Sequence, residues 1–201
     1  GSEMCIRDRF HTAHPDIQLH LMAAGGPVDF ARSGVDLALR RDDFQWDDGL
    51  QVRKVCDEWV GPVASPKLPI TAPGFSGLRL LHSATRPGAW ATWQRLSGQA
   101  DRSDGRADYE HFYLCIQAAV AGLGVAMASR LMVADELASG QLHAPHGFVR
   151  DGSAYVLLCP QPLEDSDKCR RFAEWVIEQS HLASSRTQND ESEPKSAPQV
   201  R

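Results

Sequence analysis

Apolar and polar residues alternate near the start of the chain in the pattern of a strand. Ile17, Leu19 and Leu21 are separated by single residues, and successive side chains of a strand point to opposite faces of its sheet. A short helix through Phe30–Arg32 follows and ends at Gly34, after which the apolar run Val35–Leu39 is typical of a buried parallel strand. This order predicts a βαβ unit, whose crossover is expected to be right-handed.

Strands and helices continue to alternate along the chain. The pattern predicts strands within Leu50–Ser65 and at Leu78–Leu81, Val125–Ala128, Leu142 and Ala154–Leu158. It predicts helices at Trp90–Ser97, Phe112–Val120, Leu131–Ala138 with Ser129 as its cap, and along the apolar stripe from Cys169 to Ile177. The polar stretch Asp101–Asp108 is interpreted as a loop. This succession favours an α/β fold with a mostly parallel sheet.

Glycine and proline divide the chain into two subdomains. The turn signals at Gly61-Pro62 and along Ala144–Gly152 predict two crossings, so that residues 10–61 and 148–182 form subdomain I and residues 62–147 form subdomain II. Residues 1–9 lack any periodicity and are interpreted as a non-native or disordered leader. Residues 183–201 hold only three apolar residues, which is too few to offset the chain entropy, and a disordered tail is expected there.

Composition and charge exclude several classes of protein. The 201 residues carry a net charge of −5, and the charges of residues 1–9 and of residues 183–201 each cancel, so the whole excess lies on residues 10–182. An acidic body lacks the field that DNA binding by phosphate neutralisation needs. No apolar run approaches the ~18 residues of a membrane helix. The first ten residues do not resemble a secretion signal. The five cysteines are odd in number and show no C-x-x-C spacing, which favours a reducing, cytoplasmic compartment.

Candidate binding residues follow the ends of the predicted strands, because ligands of open α/β sheets bind beyond the carboxyl ends of strands. These residues are Arg40, Arg41, His82, Ser83 and Ser129, together with His111 and Phe112 at the start of a helix whose free N–H groups favour an anion. If the two subdomains face each other, the residues converge on one cleft, in which Arg40 holds a carboxylate. The alternatives are a solvated strand end for Arg40, structural hydrogen bonds for the histidines and a core position for Phe112.

Signals for other chemistry are weaker. The pairs His11/His14 and His143/His146 have i, i+3 spacing, but no carboxylate shares their face by pattern, so we expect no metal. Gly122 and Gly124 follow a helix instead of beginning one, which argues against a dinucleotide loop. No G-x-S-x-G elbow is present. We therefore expect neither a cofactor nor an enzyme.

An ordered set of short motifs covers nearly all of residues 10–182. It begins with Phe10, His14-Pro15-Asp16 and Gly34–Arg40, and continues through VASPKL, RLLHS, AWATW, EHFYLCIQAAVAGLGVAM, LMVADELASGQLHAP and YVLLCP to Phe172 and Trp175. In this order the motifs resemble the effector-binding domain of LysR-type transcriptional regulators, most closely the subgroup of glycine-cleavage and β-lactamase regulators. The family's N-terminal winged helix-turn-helix has no counterpart here, nor does the first strand of its effector domain.

The resemblance implies a two-subdomain, periplasmic-binding-protein-like (type II) fold, truncated at its N-terminus. It implies a small anionic effector bound between the subdomains, assembly into a homodimer or tetramer, and contact with DNA only through the missing N-terminal domain. A solute-binding protein of a transport system shares this architecture and is the alternative. An upstream winged helix-turn-helix would favour the regulator, and an upstream signal peptide the transporter. An enzyme with a Ser/His or Cys/His pair is a third class, and it predicts turnover that mutation of His82 or His111 abolishes.

Overall fold

The fold is described from a computed structural model, which covers residues 2–22, 28–70, 74–100 and 103–192, with side chains from residue 7 to residue 182 within these ranges. The helices are α1 (Ser2–Ala13), α2 (Phe30–Ser33), α3 (Ala89–Ser97), α4 (Phe112–Val120), α5 (Ala134–Ala138) and α6 (Asp167–Ser192). The strands are β1 (Ala38–Arg41), β2 (Gln51–Val63), β3 (Phe75–Ser83), β4 (Ser103–Tyr109), β5 (Val125–Ser129) and β6 (Val149–Cys159). Short 3-10 turns lie at Leu131–Val133 and Leu163–Asp165. Within the described ranges, no helix is long and apolar enough to cross a membrane.

The chain divides into two compact units. Unit 1 comprises the described residues of Glu3–Cys56 and Ala154–Arg201, and unit 2 comprises those of Asp57–Ser153. The chain passes from one unit to the other twice, within β2 and within β6. Gly61-Pro62, at which the sequence places the first crossing, lies inside β2 and belongs to unit 2.

Unit 2 is built on a mixed sheet in the order β2-β5-β3-β4. β2 runs antiparallel to β5, whereas β3 runs parallel to both β4 and β5. Neighbouring residues of one strand point to opposite faces, and the two faces have separate cores. Leu81 packs among the residues around α4, including Cys115 and Ala119. Leu80 packs against Trp90 and Trp93 of α3.

Aromatic packing dominates the α3 side of the unit 2 sheet. Trp93 is completely buried, and the rings of Phe75 and Trp90 meet nearly at right angles with their centroids 5.7 Å apart. The indole N–H of Trp90 donates to the carbonyl oxygen of Leu81 at 3.1 Å, so this polar atom is satisfied in the core. Removing a buried aromatic side chain of this size costs about 3–5 kcal/mol.

Unit 1 contains α6 and the antiparallel pair of β1 and β6. β1 pairs with the second half of β6, from Ala38 opposite Leu158 to Arg41 opposite Tyr155. At the end of α1 the completely buried Phe10 meets Phe172 and Trp175 of α6 edge to face, each at 5.2 Å between centroids. Arg171 of α6 then donates to both carboxylate oxygens of Asp16, at 2.6 and 2.9 Å. These contacts attach the end of α1 to α6.

The predicted βαβ unit is wrong. Ile17–Met22 form no strand, because no described strand lies beside them to supply hydrogen-bond partners, and Leu21 and Met22 are 40% and 70% exposed. The strand expected at Val35–Leu39 begins only at Ala38, and it pairs antiparallel to β6. The sheet is therefore mixed and not mostly parallel. The helix between these segments is confirmed as α2, which ends at Gly34 with φ of 66°.

Four other predictions differ from the structure. Ser103–Tyr109, expected in a loop, form β4, whose residues alternate between half-buried and exposed along the sheet edge. Leu142 starts no strand, and only an isolated bridge joins His143 to Ala64. Ser2–Arg9 are helical, where a disordered leader was expected. Within the expected disordered tail, α6 extends to Ser192, whereas residues 193–201 and residues 101–102 of the expected loop lie outside the described residues.

Candidate functional site

Several predicted binding residues of unit 2 lie at the same end of its sheet. His82 and Ser83 end β3, Ser129 ends β5, and these two strands run parallel, so their carboxyl ends lie on the same side. α4 begins at Phe112, next to the end of β4, and the backbone N–H of Ala84 donates to the carbonyl oxygen of Tyr109 at 2.9 Å. We refer to Glu58, Arg86, Phe112 and Ser129 at this end as the Glu58 cluster.

Ser129 is completely buried, and its hydroxyl bonds to a residue of β2 and does not cap a helix. Its Oγ donates to Oε1 of Glu58 at 2.7 Å. No side-chain cap precedes the 3-10 turn at Leu131–Val133, so the prediction that Ser129 caps a helix is wrong. The hydroxyl bonds to Glu58 because a buried carboxylate that lost its hydrogen bonds would cost more free energy than an uncapped, half-buried helix start.

Glu58 is an acidic side chain in the interior of unit 2. It is 1% exposed, and its Oε1 also accepts a hydrogen bond from the backbone N–H of Trp59 at 3.0 Å. Its second oxygen, Oε2, lies 3.7 Å from Nη1 of Arg86. The carboxylate therefore joins β2, β5 and the loop after β3.

Arg86 carries the contact on to α4. Its side chain is 18% exposed, and its guanidinium carbon lies 4.6 Å above the ring centroid of Phe112. A cation over an aromatic face at this distance is attracted by the ring quadrupole. Phe112, in the first turn of α4, is thus half-buried, and a guanidinium covers one face of its ring.

The remaining unit 2 candidates surround this cluster. Oγ of Ser83 and Oγ1 of Thr85 are 2.8 Å apart and share one hydrogen bond. His82 is half-buried, and its ring centroid lies 6.2 Å from that of Trp90. His111 stacks on Tyr113 at 5.4 Å with an interplanar angle of 12°. This end of the sheet therefore offers hydroxyl, imidazole, guanidinium and aromatic groups.

Arg40 and Arg41 belong to unit 1 and lie in β1. Both are half-buried, and Nη2 of Arg41 pairs with Asp43 at 3.0 Å. The predicted convergence of these arginines with the unit 2 residues stays a prediction.

Electrostatic shifts near the site have identifiable causes. The hydrogen bonds from Arg106 lower the pKa of Asp108, which pairs with His82 in the register of β3 and β4. Burial raises the pKa of the Cys115 thiol to about 11, so this residue of α4 remains protonated and unreactive near neutral pH. Cys115 packs in the core of unit 2 as a buried free thiol.

Sequence reasoning missed two members of the cluster, Glu58 and Arg86. Arg86 lies in a loop beyond the strand end, where a charged residue is ordinary. Glu58 carries a signal that could have been used. It directly precedes the apolar run Trp59–Val63 and shares a strand face with Val60, and an acidic residue that faces the core has to find a partner.

Comparison with known proteins identifies the family. Residues 5–180 match the family described as LysR substrate binding domain. The chain is 38% identical over 182 residues to the HTH-type transcriptional regulator TrpI of Pseudomonas aeruginosa, covering 86% of this chain and 61% of that protein. It is 30% identical over 176 residues to the glycine cleavage system transcriptional activator of Escherichia coli K12, covering 84% of this chain and 57% of that protein. The chain thus spans about 60% of the length of these curated relatives, which are transcriptional regulators and not transport proteins.

Solved structures agree with this family. The AmpR effector binding domain from Citrobacter freundii superposes with a TM-score of 0.69 at 25% identity, covering 90% of this chain and 92% of that one. The CrgA regulatory domain, a LysR-type regulator from Neisseria meningitidis, shares the fold with a TM-score of 0.65 at 21% identity, covering 88% of this chain and 90% of that one. The mixed α/β architecture is that of these domains, which have a periplasmic-binding-protein-like type II fold. The chain therefore belongs to the LysR substrate-binding domain family.

Proposed function

We propose that this domain senses a small anionic molecule, and that binding shifts the conformation of an oligomeric regulator. The match of residues 5–180 to the LysR substrate-binding family is the observation that carries the proposal. A ligand that binds one conformation more tightly than another moves the equilibrium toward the first, and the DNA-binding part of the longer protein then responds.

The effector is proposed to contact the carboxyl ends of the unit 2 strands. Arg86 supports this location because a guanidinium has five N–H donors and suits a carboxylate or a phosphate. His82 and Ser83 lie half-buried at the end of β3 beside it, and Phe112 supplies an apolar surface. His111 is the remaining proposed contact in unit 2. Ser129, which is completely buried, is proposed to belong to the site through its hydrogen bond to Glu58. Arg40 and Arg41 are the proposed anionic anchors in unit 1.

DNA recognition is assigned to another part of the longer protein. The net charge of −5 disfavours phosphate binding by this domain. A regulator that acts on DNA in a bacterium works in the cytoplasm, which is the location proposed here.

The proposal includes assembly into a homodimer or tetramer. Tyr113, Leu114 and Leu123 support it, because these large apolar side chains on and after α4 are 50%, 37% and 58% exposed. Light scattering of the full-length regulator at micromolar concentration measures the assembly, and a monomer would contradict this part of the proposal.

Thermal unfolding of the full-length regulator, against a panel of metabolic carboxylates and phosphates, tests the function. A ligand at 100 times its Kd stabilises the protein by about 2.7 kcal/mol, which raises Tm by roughly 5–10 °C for a domain of this size. Arg40→Ala is expected to weaken binding of the ligand so found by about 10–100-fold, because a hydrogen bond to a charged group contributes about 1.5–3 kcal/mol.

Arg170→Ala is the matched control, since Arg170 lies in α6, its side chain is 43% exposed and it pairs with Asp167 and Glu174. An unchanged affinity in Arg40→Ala would show that the anchor assignment is wrong. If no ligand in a broad panel changed Tm, the sensing function itself would be contradicted.

A further inference from the structure

We infer that Glu58 is the positioning residue of the unit 2 binding site, acting through Arg86. This inference rests on the proposed function and adds a residue that does not itself reach the effector. Glu58 is 1% exposed, whereas the side chain of Arg86 is 18% exposed and lies against Phe112. Glu58 thus orients a group that a ligand can touch.

The burial of Glu58 has to be compensated. A carboxylate loses its hydration in a protein interior, and it remains there only when hydrogen bonds and an opposite charge replace the water. Glu58 receives the hydroxyl of Ser129 and the N–H of Trp59 on one oxygen, and it has the guanidinium of Arg86 near the other. A hydrophobic residue would fill the same space without this cost, so the charge serves orientation more than stability.

The two oxygens of Glu58 do different things. Oε1 joins β2 to β5 through Ser129, and this contact lies entirely in the interior. Oε2 faces Arg86 in the loop between β3 and α3, where the backbone N–H of Arg86 donates to the carbonyl oxygen of Ser83 at 3.1 Å. Only the second oxygen acts on the site, which makes the two contacts separable by mutation.

Arg86 transmits the constraint to the start of α4. Its guanidinium covers Phe112, and the first turn of α4 is closed by the N–H of Leu114 donating to the carbonyl oxygen of His111 at 3.1 Å. When Arg86 loses its counter-charge, its long side chain gains rotamer freedom and leaves the ring. The amides of residues 84–86, 88 and 111–114 are then expected to open more often, residue 87 being a proline without an N–H.

Hydrogen–deuterium exchange of the full-length regulator without any ligand tests the inference. Glu58→Gln keeps the size of the side chain and an oxygen for Ser129, but removes the charge that faces Arg86. Exchange in residues 84–88 and 111–114 is expected to accelerate up to about fivefold, the effect of losing one partly exposed ion pair. Ser129→Ala removes a donor to the buried carboxylate and is expected to lower the free energy of unfolding, but to accelerate these two segments no more than the rest of unit 2, because the charge that faces Arg86 stays in place. Glu174→Gln in α6, whose carboxylate is exposed, is the matched control.

A double-mutant cycle separates positioning from a general loss of stability. If Glu58 acts through Arg86, Glu58→Gln combined with Arg86→Gln exchanges no faster at residues 111–114 than Arg86→Gln alone. Additive effects, or equal acceleration throughout the protein, would overturn the inference. Should Glu58→Gln fail to fold, Arg86→Gln alone decides, and unchanged exchange at 111–114 refutes the role. Because no ligand enters these measurements, their failure is distinct from failure of the metabolite panel.

Discussion

Gly61 leaves no room for a side chain. It lies buried in β2 opposite Ala128 of β5, and the backbone at Gly147 passes directly over its α-carbon. A Cβ built at this position would overlap the carbonyl oxygen of Gly147 and lie 3.0 Å from Cδ1 of Phe148. The substitution Gly61→Ala therefore forces backbone to move against backbone, which is less compliant than the end of a flexible side chain.

The cost of Gly61→Ala can be set from this geometry. Adding a methyl group to a closely packed interior costs about 1–3 kcal/mol, and the upper half of this range applies because the obstacle is a main-chain carbonyl. Against this, alanine restricts the unfolded chain and so contributes about 0.4–1 kcal/mol to stability. A net loss of about 1–2 kcal/mol is expected, which lowers Tm by roughly 2–8 °C in a chain of this length.

Urea unfolding followed by tryptophan fluorescence measures the change. Gly88→Ala is the matched control, since Gly88 also belongs to unit 2, has φ of −90° and would place its added Cβ with no atom within 4 Å. The control is expected to be neutral or stabilising. If the two variants had equal midpoints, the close approach of the 147–148 segment to β2 would be refuted.

Three further predictions concern titratable groups. Burial lowers the pKa of His146, so below about pH 6.5 the unfolded chain binds more protons than the folded protein. The free energy of unfolding should therefore fall as the pH drops from that value. In urea unfolding, His146→Phe should make this dependence on pH less steep. Hydrogen bonds from Arg171 lower the pKa of Asp16 to about 2. Their contribution to the free energy of unfolding is fully present above the ordinary pKa of 3.8 and is lost as the pH falls through 2. Acid unfolding of Asp16→Asn should lack this dependence on pH. Cys115, with a pKa of about 11, should resist a thiol-reactive disulfide reagent near pH 8 until the protein unfolds. The half-buried Cys56 should react sooner. Mass spectrometry of the labelled peptides measures both reactions, and equal rates would contradict the prediction.

The sequence predicted the helices that combine an apolar stripe with a glycine after their last turn. α3 and α4 each carry an apolar stripe, and glycines follow them at Gly98 and Gly122 with φ of 69° and 79°, where a left-handed residue ends a helix. β4 lacked such a signal. Ala107 and Tyr109 pack against the core from this edge strand, but its remaining residues are mostly polar, so its pattern is that of a loop.

Unit 1 shows why a correct local pattern can still fail. Ile17, Leu19 and Leu21 alternate as a strand requires, yet hydrogen bonds to a neighbouring strand are what make a strand, and alternation cannot supply the neighbour. Among the described residues none provides it. By contrast, the prediction around Val35–Leu39 was displaced only by about three residues, because β6 supplies the partner for β1.

The sequence predicted those residues of the candidate site that follow from the direction of the strands, and it missed the others. The rule that ligands bind beyond the carboxyl ends of strands selected His82 and Ser129, which end the parallel strands β3 and β5. The rule could not select Glu58, because β2 runs antiparallel to β5. At the carboxyl end of β5, β2 therefore contributes residues from its interior and not from its own carboxyl end. Val60 lies opposite Ser129 in the register, so Glu58, two residues earlier in β2, is on the same face and reaches the serine diagonally. The pairing joins residues 71 positions apart, and only the register of the sheet specifies it. An acidic residue beside an apolar run of a strand thus indicates that a partner exists, whereas only the fold determines that the partner is the serine at the carboxyl end of β5.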